Sequence, residues 1–314
     1  MWQWPWHQRT KVAAPPAAVA VRCAAAAAPA APEVEIGDRD FVTWLLGAAA
    51  RAEAGLRREE QDALAQIDAL LGDGPGVAAM LPRAPAVIPQ LLGALRHRDQ
   101  SLTALVERVS KDLLLVAEVM RLSRSARYAR HGVVRDLPQA IALLGESGLR
   151  SAIARVVLRP LLQSGSGWLA AAVGERLWDH TEHKARACAA KAAAAGLDPF
   201  DGYMAGMLHS AGWTVMLRRL DACPQLALPC SDDFMDALAA RRDRLFGKAV
   251  GAWQVTPAIT ALAAEAAAAG LGAAGSSLAR VLLQSDRDAT RTVLHDAKLL
   301  AAPLLASAAA DVRH

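Results

Sequence analysis

Two histidines frame the part of this chain best equipped for chemistry. The first lies in Trp178-Asp179-His180-Thr181-Glu182-His183 and the second in Met204-Ala205-Gly206-Met207-Leu208-His209-Ser210-Ala211-Gly212-Trp213. Imidazoles on two successive predicted helices are the beginning of a metal site. A hydrolytic centre of that kind needs a carboxylate directly after the second histidine, to add negative charge, hold the metal and leave an open position where water is activated. Position 210 is serine, a neutral and poor ligand. Nothing later completes the set: His183 falls one turn from Asp179 and His180, and His295 and His314 lie far along the chain. The stretch therefore reads as a metal-site scaffold without its chemistry. No catalytic residue, metal ligand or cofactor is assigned, and His180, His209 and Ser210 are vestigial positions.

Each histidine also has a purely structural reading. His180 shares a helical face with Val173, Leu177 and Lys184, which suits a half-buried, hydrogen-bonded side chain. His209 follows Gly202, Ala205 and Gly206, small residues that let another helix approach, and is expected to bond a backbone carbonyl or Ser210. Ser210 and His209 do not make a nucleophile and base, because adjacent helical positions diverge by about 100°. No phosphate-cradling loop with its lysine occurs. Two arginine groups remain. Arg218, Arg219, Arg241, Arg242 and Arg244 with Lys248 read as a solvated helix face with Asp221, Asp236 and Asp243 as local partners. Arg121, Arg124, Arg127, Arg130 and Arg135 gather around Tyr128 and are the candidate surface for a partner or an anionic ligand.

The elements that position these residues are helices. Of 314 residues 54% are hydrophobic, and alanine and leucine far outnumber the 2 Tyr and 4 Phe, a balance that favours helix over strand. Four cysteines without a CxxC pair make no disulfide scaffold, and no run of about 20 apolar residues fits a membrane span, so a reducing cytoplasm is expected. The net charge of +4 is too small by itself to argue for nucleic acid. Residues 1–32 read as a disordered Ala/Pro tail whose Trp2, Trp4 and Trp6 either dock on a surface or cover a groove of this protein. Residues 33–76 read as a helical hairpin and hinge, 77–270 as the main helical domain and 271–314 as C-terminal helices on that core. Caps at Ser101, Asp112, Asp136, Asp198-Pro199 and Thr256-Pro257, with stops at Gly145, Gly196 and Gly270, punctuate the pattern. The last helix, from Ser276 or Ser277, is expected to bend or restart near Asp286 and Pro303.

With those elements placed, the chain resembles the HDOD family, the HD-related output domain of bacterial signalling proteins. The resemblance rests on Leu81-Pro82-Arg83-Ala84-Pro85-Ala86-Val87, on Asp112 to Leu122 and on Gln139 to Gly145. It continues through Trp178 to Thr181, Gly206 to Gly212, Leu245-Phe246-Gly247 and Trp253 to Pro257, spanning about residues 78–265. It implies an all-α, HD-type bundle whose members mostly lack demonstrated enzymatic activity and act as regulatory modules. The departures are informative. The family's Asn-Ser-Ala is Arg124-Ser125-Ala126, its His-Asp pair is His209-Ser210, and the histidine after the Phe-Gly turn is missing from Lys248 to Gly251. The leading expectation is a non-catalytic module acting through protein partners of a bacterial signalling pathway. Two alternatives stand beside it: a residual metal-dependent phosphohydrolase using His180, His209 and a carboxylate such as Asp179, and an RNA- or nucleotide-binding regulator using the Arg121 to Arg135 group.

Overall fold

The computed structural model describes residues 37–47, 55–81, 106–107, 109–125, 134–163 and 167–310. The N-terminal tail with its tryptophans, the Pro82 to Leu92 segment, the Ser101 cap, and Arg127, Tyr128 and Arg130 lie outside the described residues. Among the described residues the fold is all-α, as expected, with no strand. The helices are α1 (Asp38–Leu46), α2 (Arg58–Gly72), α3 (Gly74–Met80), α4 (Leu113–Ser123), α5 (Leu137–Gln163) and α6 (Trp168–Ala194). They continue as α7 (Pro199–His209), α8 (Ala211–Asp221), α9 (Asp232–Gly251), α10 (Pro257–Ala269) and α11 (Ser277–Ala310). No helix among the described residues is long and apolar enough to cross a membrane.

The caps work as the residue types require. Asp112 Oδ1 accepts from the Leu114 and Leu115 amides at 2.8 and 3.2 Å, Asp198 Oδ1 from Phe200 at 2.9 Å, and Thr256 Oγ1 from Ile259 at 3.2 Å. Each satisfies an amide that the first helical turn leaves without a partner. Gly145, at φ +64°, interrupts α5 where the sequence places a stop.

The core is built on α6 and α7, which cross closely, with α11 against α6 and α9 between α8 and α10. Gly206 makes that crossing possible: a Cβ there would lie 2.5 Å from the Ala185 Cα. The two helices expected as a hairpin each make their main contacts with the core instead of with each other. In α1, Phe41, Val42, Leu45 and Leu46 are buried; Arg39 forks onto Asp232 and Asp236, and Arg176 donates to the Leu45 carbonyl at 2.8 Å. In α2 the fully buried Glu60 accepts from the Ser231 amide and hydroxyl, both at 2.7 Å, and from Arg57.

The last helix differs from expectation. Ser277 to Ala310 is one element, without a restart at Asp286. Ala279, Leu282, Asp286, Ala289 and Val293 form a single buried stripe at helical spacing. Asp286 lies on that stripe because its carboxylate is engaged by cations of other helices, so it is not available to cap its own.

Candidate functional site

The two histidines do come together, inside a largely buried ionic cluster. His180 sits in the middle of α6 and His209 at the last turn of α7, and both have no exposed surface. The expected half-burial of His180 is thus too small. Phe41 of α1 closes over it with ring centroids 4.4 Å apart, which excludes water from that face. His180 Nε2 lies 3.2 Å from the Thr290 hydroxyl of α11, while its buried Nδ1 has no hydrogen-bond partner.

Around the histidines stand four charges that arrive from three helices. Lys184, one turn after His180, is fully buried, and its Nζ lies 3.1 Å from Asp286 Oδ1 and 3.2 Å from His209 Nδ1. Arg242 of α9 binds Asp286 Oδ2 at 2.8 Å through one terminal nitrogen and Asp243 Oδ1 at 3.0 Å through Nε. His209 Nε2 lies 2.9 Å from the same Asp243 oxygen. An ammonium only donates, so Nδ1 of His209 accepts from Lys184 and the ring proton lies on Nε2, donated to Asp243. His209 therefore bonds a lysine and an aspartate, and neither the backbone carbonyl nor Ser210 that the sequence suggested.

The electrostatics follow from burial and pairing. Burial works against ionised Asp243 and Asp286, but Arg242 and its neighbours outweigh it and hold both carboxylates well below their usual range. Burial lowers Lys184 from the ordinary lysine value, with Asp286 opposing the shift. Burial, reinforced by the Lys184 charge, lowers His180 well below the usual imidazole value, so it is neutral at pH 7. Two cations and two carboxylates balance within the cluster, which is the arrangement a low-dielectric interior tolerates.

Ser210 takes no part in this cluster. Thr181 Oγ1 donates to the Leu177 carbonyl at 2.6 Å, so the Ser210 hydroxyl, 2.6 Å away, donates to Thr181. The serine ties α6 to the α7–α8 corner. Asp179, the carboxylate of the hydrolase alternative, is exposed and outside the cluster.

This donor set does not fit a divalent cation. The Nδ1 of the His209 ring faces the Lys184 ammonium, and Asp286 already lies against two cationic side chains. Among the described residues no group of three His, Cys, Asp or Glu side chains could hold a metal ion.

The arginine expectations need two corrections. Arg242 is only 5% exposed and Arg218 donates to the Met80 carbonyl, so these two are tied inward, while Arg241 pairs with the exposed Asp68 and Arg244 is exposed. Of the other group, Arg124 and Arg135 are exposed, and Arg121 lies not beside them alone but in a groove with Arg155 and Arg159 of α5. Sequence reasoning missed Lys184, Arg242, Asp243, Asp286 and Thr290 as members of the site. A signal existed: Met235, Leu238, Arg242 and Phe246 mark one buried face of α9, so a charge at that spacing announces a buried partner.

The HDOD domain family matches residues 81–257. An uncharacterized protein of Treponema pallidum (strain Nichols) is 26% identical over 137 residues, which are 43% of this chain and 26% of that protein. The chain thus spans about a quarter of the length of that curated relative. Among solved structures it is similar to an HDOD domain protein of unknown function from Geobacter sulfurreducens, with 18% identity, TM-score 0.53, and 72% and 77% of the two chains covered. It is also similar to a candidate metal-dependent phosphohydrolase from Shewanella amazonensis SB2B, at 18% identity and TM-score 0.55, covering 73% of this chain and 82% of that one. A candidate phosphohydrolase of the same organism matches at 23% identity and TM-score 0.51, covering 72% of this chain and 80% of the other. At these identities the likeness is one of fold. The helices that bring Phe41, Asp286 and Thr290 to the site lie outside the matched 81–257 segment.

Proposed function

This chain belongs to the HDOD family, and from that premise we propose that it is a non-catalytic regulatory module that works through protein contacts in a bacterial signalling pathway. One observation carries the reading: where the fold would gather metal ligands, Lys184 and Arg242 supply the positive charge and consume the carboxylates. A hydrolytic centre must present a Lewis-acidic ion with an open position. Here the corresponding space holds Lys184, Arg242, Asp243 and Asp286 in ion pairs with one another, and Phe41 covers the His180 ring beside them. The cluster then acts as a keystone joining α6, α7, α9 and α11, and the module's work falls to its surface.

The runner-up is a residual phosphohydrolase, favoured by the fold likeness to the Shewanella proteins. Turnover decides between them. Purified protein supplied with manganese, iron or zinc is expected to cleave neither bis(p-nitrophenyl) phosphate nor cyclic dinucleotides above the level of His209→Ala. Metal-dependent turnover that His209→Ala abolishes would overturn the non-catalytic reading.

A further inference from the structure

We propose that the groove between α4 and α5 docks an acidic amphipathic helix of a partner protein, seating an apolar side chain between the two helices and carboxylates on Arg121 and Arg159. The proposal rests on the reading of the chain as a contact module. The groove has a volume of about 320 Å³, and Leu114, Ala117, Val156 and Pro160 form its apolar wall. Leu114, 69% exposed, lines its α4 side, and the adjacent Leu113 is 82% exposed. A lone exposed leucine needs no explanation, but two adjacent ones beside a concave apolar wall mark a contact surface.

The rim sets the sign of the occupant. Glu118 is shared by Arg121 and Arg155, and Glu182 by Arg155 and Arg186. Arg159 pairs at 3.5 Å with the exposed Glu175, so four guanidiniums share three carboxylates and the face keeps a cationic excess. Arg121 and Arg159 turn outward, close to half exposed. Arg155 lies deeper, where burial lowers it to about 10 despite Glu118. An incoming carboxylate would meet charge that the chain itself leaves under-compensated. A nucleic acid fits less well. Arg155 and Arg159 cover the Trp178 ring at 5.2 and 5.4 Å, and among the described residues no aromatic face lines the groove for a base to stack on.

The test uses the full chain and labelled helical peptides that share a leucine stripe and differ only in carrying Glu, Gln or Lys beside it. The Glu peptide should bind about tenfold or more tightly than the Lys peptide, and less tightly as salt rises. Leu114→Asp should remove binding. The double reversal Arg121→Glu with Arg159→Glu should invert the preference toward the Lys peptide, a result that misfolding would not give. Equal binding of all three peptides, or a Glu preference that survives the reversal, would overturn the proposal. So would displacement of the Glu peptide by single-stranded poly-uridine RNA that binds more tightly. None of these outcomes bears on phosphoester turnover, so failure of the docking surface and failure of the non-catalytic reading are separable.

Discussion

Two of the places where arginine meets carboxylate in this molecule contrast sharply, one buried between helices and one at the surface. In the cluster between α6, α7, α9 and α11, Arg242 and Asp286 are each 5% exposed, and every charge has an opposite charge within the protein. In the α4–α5 groove, Arg121 and Arg159 look outward; Arg121 shares Glu118 with Arg155, and Arg159 meets the exposed Glu175. The same chemical pair is locked in one setting and available in the other. Burial makes the difference: removing one member of a dry pair leaves a charge that nothing can hydrate, whereas water replaces a lost partner at the rim.

The largest consequence concerns Asp286. Asp286→Asn leaves Lys184 and Arg242 facing each other across a neutral amide, and it should cost about 3–5 kcal/mol in urea unfolding. A loss under about 1 kcal/mol, in the range of surface pairs, would mean water reaches the cluster and the contrast fails. The pairing itself is tested by a cycle: Lys184→Met combined with Asp286→Asn should cost about 1–3 kcal/mol less than the sum of the single changes. Strict additivity would show that the ammonium and the carboxylate do not interact.

Acid comes next in size. His180 is neutral in the folded chain because burial depresses it well below 6.5, while the unfolded chain takes up a proton near that value. Stability from this group is therefore full above about pH 7 and falls as pH drops below about 6.5, at up to about 1.4 kcal/mol per pH unit for the one proton. Asp243 and Asp286, held low, stabilise the fold above about pH 4, and their contribution is lost as pH falls further toward their folded values. Thermal melts between pH 5 and 8 should show the first loss, and His180→Gln should flatten it. An unchanged slope in that variant would assign the loss elsewhere. The smallest effect belongs to the rim: Arg159→Ala should change stability by no more than about 0.5 kcal/mol, read by the same urea unfolding. A larger cost would make Arg159 a structural residue and weaken its role in docking.

What the sequence made legible were features that depend on near neighbours. Asp112, Asp198-Pro199 and Thr256-Pro257 cap helices within a few residues of themselves, and Gly145 breaks a helix by its own backbone geometry. The close approach at Gly206 also showed, since a costly glycine inside a helix asks for a packing reason. The absence of a carboxylate at position 210 was equally plain. What stayed hidden was long-range pairing. Asp243 read as a solvated partner because three arginines surround it in sequence, and Asp286 read as a helix start because aspartate favours caps. Only the tertiary arrangement puts Asp286 against Arg242 and Lys184, and no local spacing encodes which stripe faces which. His180 was under-buried for the same reason: Phe41, which covers it, comes from a helix far upstream.

The most direct measurement is the metal content of the purified protein after incubation with manganese, iron and zinc and removal of free ion. An ionic cluster that carries its own cations predicts no stoichiometric metal, and the same result in His209→Ala. One equivalent of metal retained by the native chain and lost in His209→Ala would contradict the account, because Lys184 would then not hold the place of the ion.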